Sequence, residues 1–102
     1  MGAPSNRQLE KHIRLSAESS SNVTTTIHAR QRMRQRHIND QMLMETLRHG
    51  RMDSPPEPDM KHPGLKCRMR YFVAGVDVAA VVYIEHPAPD LVVVTVIDVS
   101  KD

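Results

Sequence analysis

Leu9, Ile13 and Ala17 fall four residues apart, and their spacing predicts a short helix from Ser5 or Asn6 through Ser16. The polar run "SAESSSN" then ends the pattern, so residues 1–24 read as an N-terminal arm, helical in part. The next helix is predicted from "TTTIHARQRMRQRH". Thr24, Thr25 or Thr26 can accept hydrogen bonds from the free backbone N–H groups at its start, and Ala29 and Met33 mark its buried stripe. "INDQMLMETLRHG" predicts a further helix capped by Asn39 or Asp40, with Leu43, Thr46 and Leu47 facing inward and Ile38 filling the corner before it. Gly50 is expected in a left-handed conformation just past its last turn. Four prolines, Pro55, Pro56, Pro58 and Pro63, remove backbone donors and fix backbone angles, so "RMDSPPEPDMKHPG" reads as a surface loop, after at most a short strand at 51–53. Two strands are predicted over about 66–74 and 76–85, with Gly75 near their turn, and "HPAPD" breaks the run. "LVVVTVIDV", residues 91–99, lacks clean alternation and is expected to be a central strand buried on both faces.

This order of elements gives an α+β fold: two N-terminal helices packed on one face of a three- to four-stranded antiparallel sheet, preceded by the arm or its short helix. A chain of 102 residues suits one domain, expected over 25–102 with the arm at 1–24. With hydrophobic residues at 39 %, aromatics at only 3 % and no Trp, the core must rest on aliphatic side chains and Met.

Charge changes the picture locally rather than globally. Lys+Arg 14 against Asp+Glu 12 leaves a formal net charge of only +2, too little to establish a nucleic-acid partner. Yet "IHARQRMRQRHIND" holds four arginines and two histidines. His28, Arg32 and Arg36 recur every four residues and so line one helix face beside the apolar stripe. A single cysteine, Cys67, excludes an internal disulfide and a Cys-based zinc cage and points to a reducing, cytoplasmic setting. No apolar run reaches the roughly 20 residues of a membrane span, and the N-terminus lacks an apolar block of signal-peptide type. The six histidines include no i, i+4 pair with a completing carboxylate, so no metal site is expected, and nothing points to a cofactor.

The chemistry these residues suit is metal-free cleavage of RNA. A base must deprotonate a ribose 2′-hydroxyl, cations must hold the extra charge on the phosphorane, and an acid must protonate the leaving 5′-oxygen. Histidine suits the proton transfers and arginine the phosphate. Candidates are His28, Arg32 and Arg36 on the helix, with Arg68, Arg70, Tyr71, Tyr83 and Thr95 on the strands. Each also has an ordinary reading. An Arg-rich helix face is commonly a solvated face, Arg68 and Arg70 alternate as the wet side of a strand would, and Thr95 among valines is unremarkable in a sheet.

The segment "HARQRMRQRHI" resembles the helix signature His-Ala-x-x-Arg-Met-x-x-Arg-x-Ile of the domain of unknown function 4258 family, through His28, Ala29, Arg32, Met33, Arg36 and Ile38. Leu43, Leu47 and Gly50 fit the next part of the pattern, and "VVVTVI" looks like its closing strand. The resemblance covers roughly 26–99. His37 stands where that family usually has Gly, a position His tolerates better than bulkier residues in left-handed geometry. The Pro-rich insertion at 54–63 is a second departure. The family is similar to the RelE-like, barnase–EndoU–colicin–RelE group of small ribonuclease toxins. That likeness implies helices on a four-stranded antiparallel sheet, metal-free RNA cleavage and a neutralising partner protein. Carried over by position, His28, Arg32, Arg36 and Thr95 become the catalytic set. Arg68 and Tyr83 join them, on chemical grounds, as substrate-binding residues.

Three readings stay open at this level. The first is a toxin-type endoribonuclease acting on RNA, with a cognate antitoxin. The second is a non-catalytic module, of a mobile-element or phage type, that binds a host protein. The third is a structural network in which His28, Arg32 and Arg36 pair with Glu45 or Asp98. The apolar last strand and the arm both permit a homodimer.

Overall fold

Ser5 opens the first helix with a reciprocal pair of hydrogen bonds. Gln8 N–H donates to Ser5 Oγ at 3.1 Å, and Ser5 N–H donates to Gln8 Oε1 at 2.7 Å, a complete capping box. The computed structural model describes residues 3–102; Met1 and Gly2, the first two residues of the expected arm, lie outside it. Helix α1 (Asn6–Ser16) presents Leu9 and Ile13, followed by Ala17, all fully buried in the same core as the sheet. Two polar clamps fix it. Arg14 donates from Nε and Nη2 to Gly50 O at 3.0 and 2.6 Å, and Met52 N–H donates to Glu10 Oε1 at 2.8 Å.

A single 3₁₀ turn leads into β1 (Val23–Thr25), a strand that the polar sequence before it does not announce. Helix α2 (Ile27–Arg36) follows directly and buries Ala29 and Met33. It ends at His37, which is left-handed at φ 57°, ψ 39°. His37 N–H donates to Arg34 O, and Ile38 N–H donates to Met33 O at 2.9 Å, the paired bonds of a Schellman ending, while the buried Ile38 side chain closes the corner. Histidine here adopts a backbone conformation that favours glycine. Helix α3 (Asp40–His49) is capped by Asn39, whose side chain accepts from Met42 N–H at 2.9 Å.

Gly50 corrects an expectation. Its backbone is extended, at φ −73° and ψ 179°, not left-handed. What excludes a side chain there is crowding: a Cβ would stand 2.4 Å from Thr46 O and 2.8 Å from Arg70 O. The glycine lets the end of α3 touch the sheet backbone.

The sheet is mixed and six-stranded rather than a purely antiparallel set of three or four. After β2 (Arg51–Met52) and β3 (Glu57–Pro58) come the long strands β4 (Leu65–Val73), β5 (Val76–Ile84) and β6 (Leu91–Asp98). Their order is β1-β6-β5-β4-β2, with β3 also on β4. Among the described residues only β1 is parallel to its neighbour, pairing Val23 with Leu91 and Thr25 with Val93. Strand β3 lies inside the segment read as loop. It makes just two pairings at the sheet margin, Glu57 with Lys66 and Pro58 with Leu65, where a residue without an N–H is tolerated.

All three helices contribute to one core against one face of the sheet. Leu9, Ala29, Met33, Leu43 and Leu47 meet Met69, Val82 and Val93, among others, with each fully buried Leu, Val or Met side chain stabilising the fold by ~1.5–3 kcal/mol. The other face carries no covering layer among the described residues. Strand β6 therefore departs from its expected burial on both faces: Leu91, Val93 and Val96 are buried, while Val92, Val94, Thr95 and Ile97 are only half-buried. The register breaks between Val81 and Val82, so that Thr95 opposes Val81 while Val93 opposes Val82 and Val94 bulges. The bulge hides the alternation that sequence reading sought in this strand.

Candidate functional site

Thr26 is the joint that places α2. Its N–H donates to Val93 O at 3.1 Å, continuing the strand pairing. Its hydroxyl donates to Val94 O at 3.0 Å and accepts from Ala29 N–H at 3.0 Å, capping the helix. One residue thus ends β1, caps α2 and ties the helix start to the strand immediately before Thr95. His28 lies two residues farther on, in the first turn, with an exposed ring.

Arg32 and Arg36 follow on the same face, both partly exposed. Arg36 Nε donates to Asp102 Oδ1 at 2.8 Å, and Arg32 Nη2 lies 3.1 Å from the same oxygen. Two guanidinium groups therefore converge on a single carboxylate oxygen. The other oxygen, Oδ2, accepts Asp98 N–H at 3.1 Å. The backbone of the final turn is fixed by Lys101 and Asp102 N–H groups donating to Asp98 O at 3.0 and 2.8 Å. The Arg36 hydrogen bond holds the Asp102 carboxyl below its ordinary range, and Asp102 in turn raises Arg36.

The network anticipated with Glu45 or Asp98 takes a different partner. Asp98 is buried, and its Oδ1 accepts from Ser100 N–H and Oγ at 3.1 and 2.8 Å, so its charge reaches Arg36 but its oxygens do not. Arg30 points elsewhere, to Thr25 Oγ1 at 2.8 Å and to Asp40.

The strand candidates gather on the open sheet face. Arg68, Val81 and Thr95 form one row across β4, β5 and β6, and Lys66, Tyr83 and Val92 form the next. Adjacent strands are ~4.8 Å apart, so Arg68 and Thr95 are separated by roughly 10 Å at the backbone. Arg68 Nε lies 3.2 Å from Asp53 Oδ2 but is not aimed at it, which leaves a buried N–H without a hydrogen bond. Arg70 makes a two-pronged bond to Asp77, at 2.9 and 2.7 Å, and this pairing holds the Asp77 carboxyl below its usual range. Tyr83 is committed to the Pro-rich loop. Its hydroxyl accepts Gly64 N–H at 3.0 Å and donates to Glu85 Oε2 at 2.6 Å, and desolvation followed by the Glu85 bond raises its pKa. Two grooves of about 380 Å³ each flank Lys66, one running to Tyr83 and Val94, the other to Arg68 and Val81.

The structure thus brings Arg32 and Arg36 together, and sets Arg68 and Thr95 in one row. It joins neither pair to His28 by a hydrogen bond among the described residues, and it gives Tyr83 a loop-holding task. Sequence reading missed Asp102, which no local pattern could assign, because it meets Arg36 across 66 positions of chain. It also missed Asp53 and Asp77 as partners of the strand arginines. The latter was within reach, since the two-residue turn at Ala74–Gly75 sets Asp77 diagonally across from Arg70.

Cys67 is buried, and desolvation pushes its thiol up to about 11, so it is a packing residue rather than a nucleophile. Among the described residues, no group of three or more His, Cys, Asp and Glu side chains is placed to hold a metal ion, and no helix is long and apolar enough to cross a membrane. No curated protein and no solved structure matches the chain. Residues 25–98 match the family described as Domain of unknown function (DUF4258).

Proposed function

The chain belongs to the domain of unknown function 4258 family, and from that membership and the geometry of α2 we propose that it is a metal-independent endoribonuclease of toxin type, acting in the cytosol. The observation that carries this reading is the convergence of Arg32 and Arg36 on one oxygen, Asp102 Oδ1. Two guanidinium charges beside one oxyanion suit a phosphorane, Arg36 through a charge-assisted hydrogen bond and Arg32 through its charge.

His28 is the acid–base group in this scheme. It lies one helical repeat before Arg32 on the same face, about 6 Å along the axis. It takes the proton of a ribose 2′-hydroxyl or gives one to the leaving 5′-oxygen, with water making the other proton transfer. The 2′-oxygen then bonds to phosphorus as the bond to the 5′-oxygen breaks, leaving a 2′,3′-cyclic phosphate and a 5′-hydroxyl. Thr95, Arg68 and Tyr83 share the open sheet face, opposite the side that α2 covers, so in this scheme they meet the RNA beyond the scissile phosphate rather than at it. The likeness to RelE-like ribonucleases, and with it a neutralising antitoxin, belongs to this proposal.

A second reading has its own observation. The same arginines hold a carboxylate, and Arg70 does so on the sheet, so the surface also suits an acidic protein partner. Induced expression in bacteria separates the two. Growth arrest with fragmented RNA for the wild type, lost in a folded His28→Ala variant, supports the enzyme. Intact RNA throughout, with or without arrest, supports the binding module.

A further inference from the structure

We infer that the position occupied by the Asp102 carboxylate is the phosphodiester subsite of the α2 face, and that Asp102 is an intramolecular competitor for it. The inference rests on the reading of α2 as a phosphate-binding face and adds to it where the phosphate sits and what must leave first.

Asp102 Oδ1 accepts Arg36 Nε at 2.8 Å, and Arg32 Nη2 stands 3.1 Å from it as an ion pair, with Arg32 Nη1 donating to Gln35 Oε1 at 3.3 Å. A non-bridging phosphate oxygen offers the same charge and acceptor geometry to the same forks. The backbone that carries the arginines is anchored independently of their anion, because α2 is fixed by Thr26 at one end and by the Schellman turn at His37 and Ile38 at the other. The carboxylate is not so anchored. It stands on a short turn whose grip is the backbone bonds to Asp98 O and one bond from Asp98 N–H to Asp102 Oδ2. The remaining charge facing Arg36 is Asp98, which is buried and engaged by Ser100. Rotating Asp102 outward therefore frees two cationic forks on a fixed helix without disturbing the core.

A ligand that must displace an internal competitor binds more weakly by the fraction of molecules in which the site is free. Removing the competing charge raises affinity and leaves an open anion site. Asp102→Asn is the suitable change, since its amide oxygen can still accept Asp98 N–H.

The test is binding of a short, non-cleavable 2′-deoxy oligonucleotide to the wild type and to Asp102→Asn, read by fluorescence anisotropy at fixed salt. The expected result is affinity about tenfold higher for Asp102→Asn, lost again when Arg32→Ala and Arg36→Ala are added. In the wild-type chain, the ¹³Cγ resonance of Asp102 should move toward that of a free carboxylate as oligonucleotide saturates the protein. This second readout does not depend on how the variant folds. Equal affinities for the two folded proteins, an Asp102 resonance that stays put at saturation, or preferential binding of an acidic peptide over the oligonucleotide would each overturn the inference. Because binding alone is read, failure of the catalytic reading is distinguishable: tight binding without cleavage keeps the subsite and removes the enzyme.

Discussion

Arg36 Nε lies 2.8 Å from Asp102 Oδ1, an ion pair between residues 66 positions apart. It joins the last turn of α2 to the residues after β6, and so couples the candidate site to the end of the sheet. Its first measurable consequence concerns acid stability. Arg36 holds the Asp102 carboxyl below its ordinary range, and Arg70 does the same to Asp77. A carboxyl whose pKa is lower folded than unfolded binds more protons in the unfolded chain. The stability it contributes is complete above the unfolded value of ~3.9 and is lost as pH falls through the folded value. Thermal denaturation followed by circular dichroism should show Tm falling below about pH 4, with a shallower fall in Asp102→Asn and Asp77→Asn. A slope unchanged in both variants would show that these pairs do not set the acid limb.

Thr26 predicts a separable structural effect. Thr26→Ala removes the cap on Ala29 N–H and the hydroxyl bond to Val94 O together. The expected loss is ~1–2 kcal/mol, and Thr26→Ser, which keeps the hydroxyl, should restore most of it. Urea unfolding measures both. Amide exchange at Ala29 and Arg30 should rise in the alanine variant before exchange in β5 does.

Much of this architecture is legible in the chain, and the exceptions have physical causes. Leu9, Ile13 and Ala17 are read from spacing alone, because helical order is local; cap chemistry narrows the helix starts to Ser5 or Asn6, Thr24 to Thr26, and Asn39 or Asp40, and the structure uses Ser5, Thr26 and Asn39. Strand β1 escapes because its three residues follow a polar run and gain their order only from the backbone of β6. Gly50 is legible as a helix end but not for its reason, since the carbonyl of Arg70 that crowds it comes from a distant strand. At the site, the helical row of His28, Arg32 and Arg36 is periodic and therefore visible. The anion that Arg32 and Arg36 grip is not, because nothing local links Asp102 to α2. Arg68 and Tyr83 stand out by residue type, and the structure shows what type cannot: Asp53 stands at ion-pair distance from Arg68 without taking its Nε hydrogen bond, and Glu85 accepts from the Tyr83 hydroxyl.

Gly50 carries the largest stability prediction. A Cβ at this position meets two backbone carbonyl oxygens at 2.4 and 2.8 Å, one from α3 and one from β4. Neither can give way as a side chain would. Gly50→Ala should therefore cost about 2–4 kcal/mol, by separating α3 from the sheet. The check is a fall in Tm on the order of 10–20 °C. A near-neutral result would contradict the close approach of Thr46 and Arg70 to this glycine.

Ala74 offers the opposite sign. It sits at φ 52° beside Gly75 at φ 77°, in the two-residue turn between β4 and β5. Both positions of such a turn need positive φ, which Asn adopts more readily than Ala. Ala74→Asn should stabilise the protein by ~0.5–1 kcal/mol, seen as a Tm rise of a few degrees with no change in RNA binding or cleavage.

The central claim is that His28, Arg32 and Arg36 form a catalytic phosphate site, and purified protein tests it most directly. The wild type, His28→Ala and Arg32→Ala/Arg36→Ala are each incubated with a labelled RNA oligonucleotide in excess EDTA, and the products' ends are identified by mass. The account predicts fragments ending in 2′,3′-cyclic phosphate from the wild type, at a rate that falls steeply with salt. It predicts a loss of at least about 100-fold in His28→Ala at unchanged Tm. Intact RNA with the wild-type protein, or equal cleavage by wild type and His28→Ala, would contradict it.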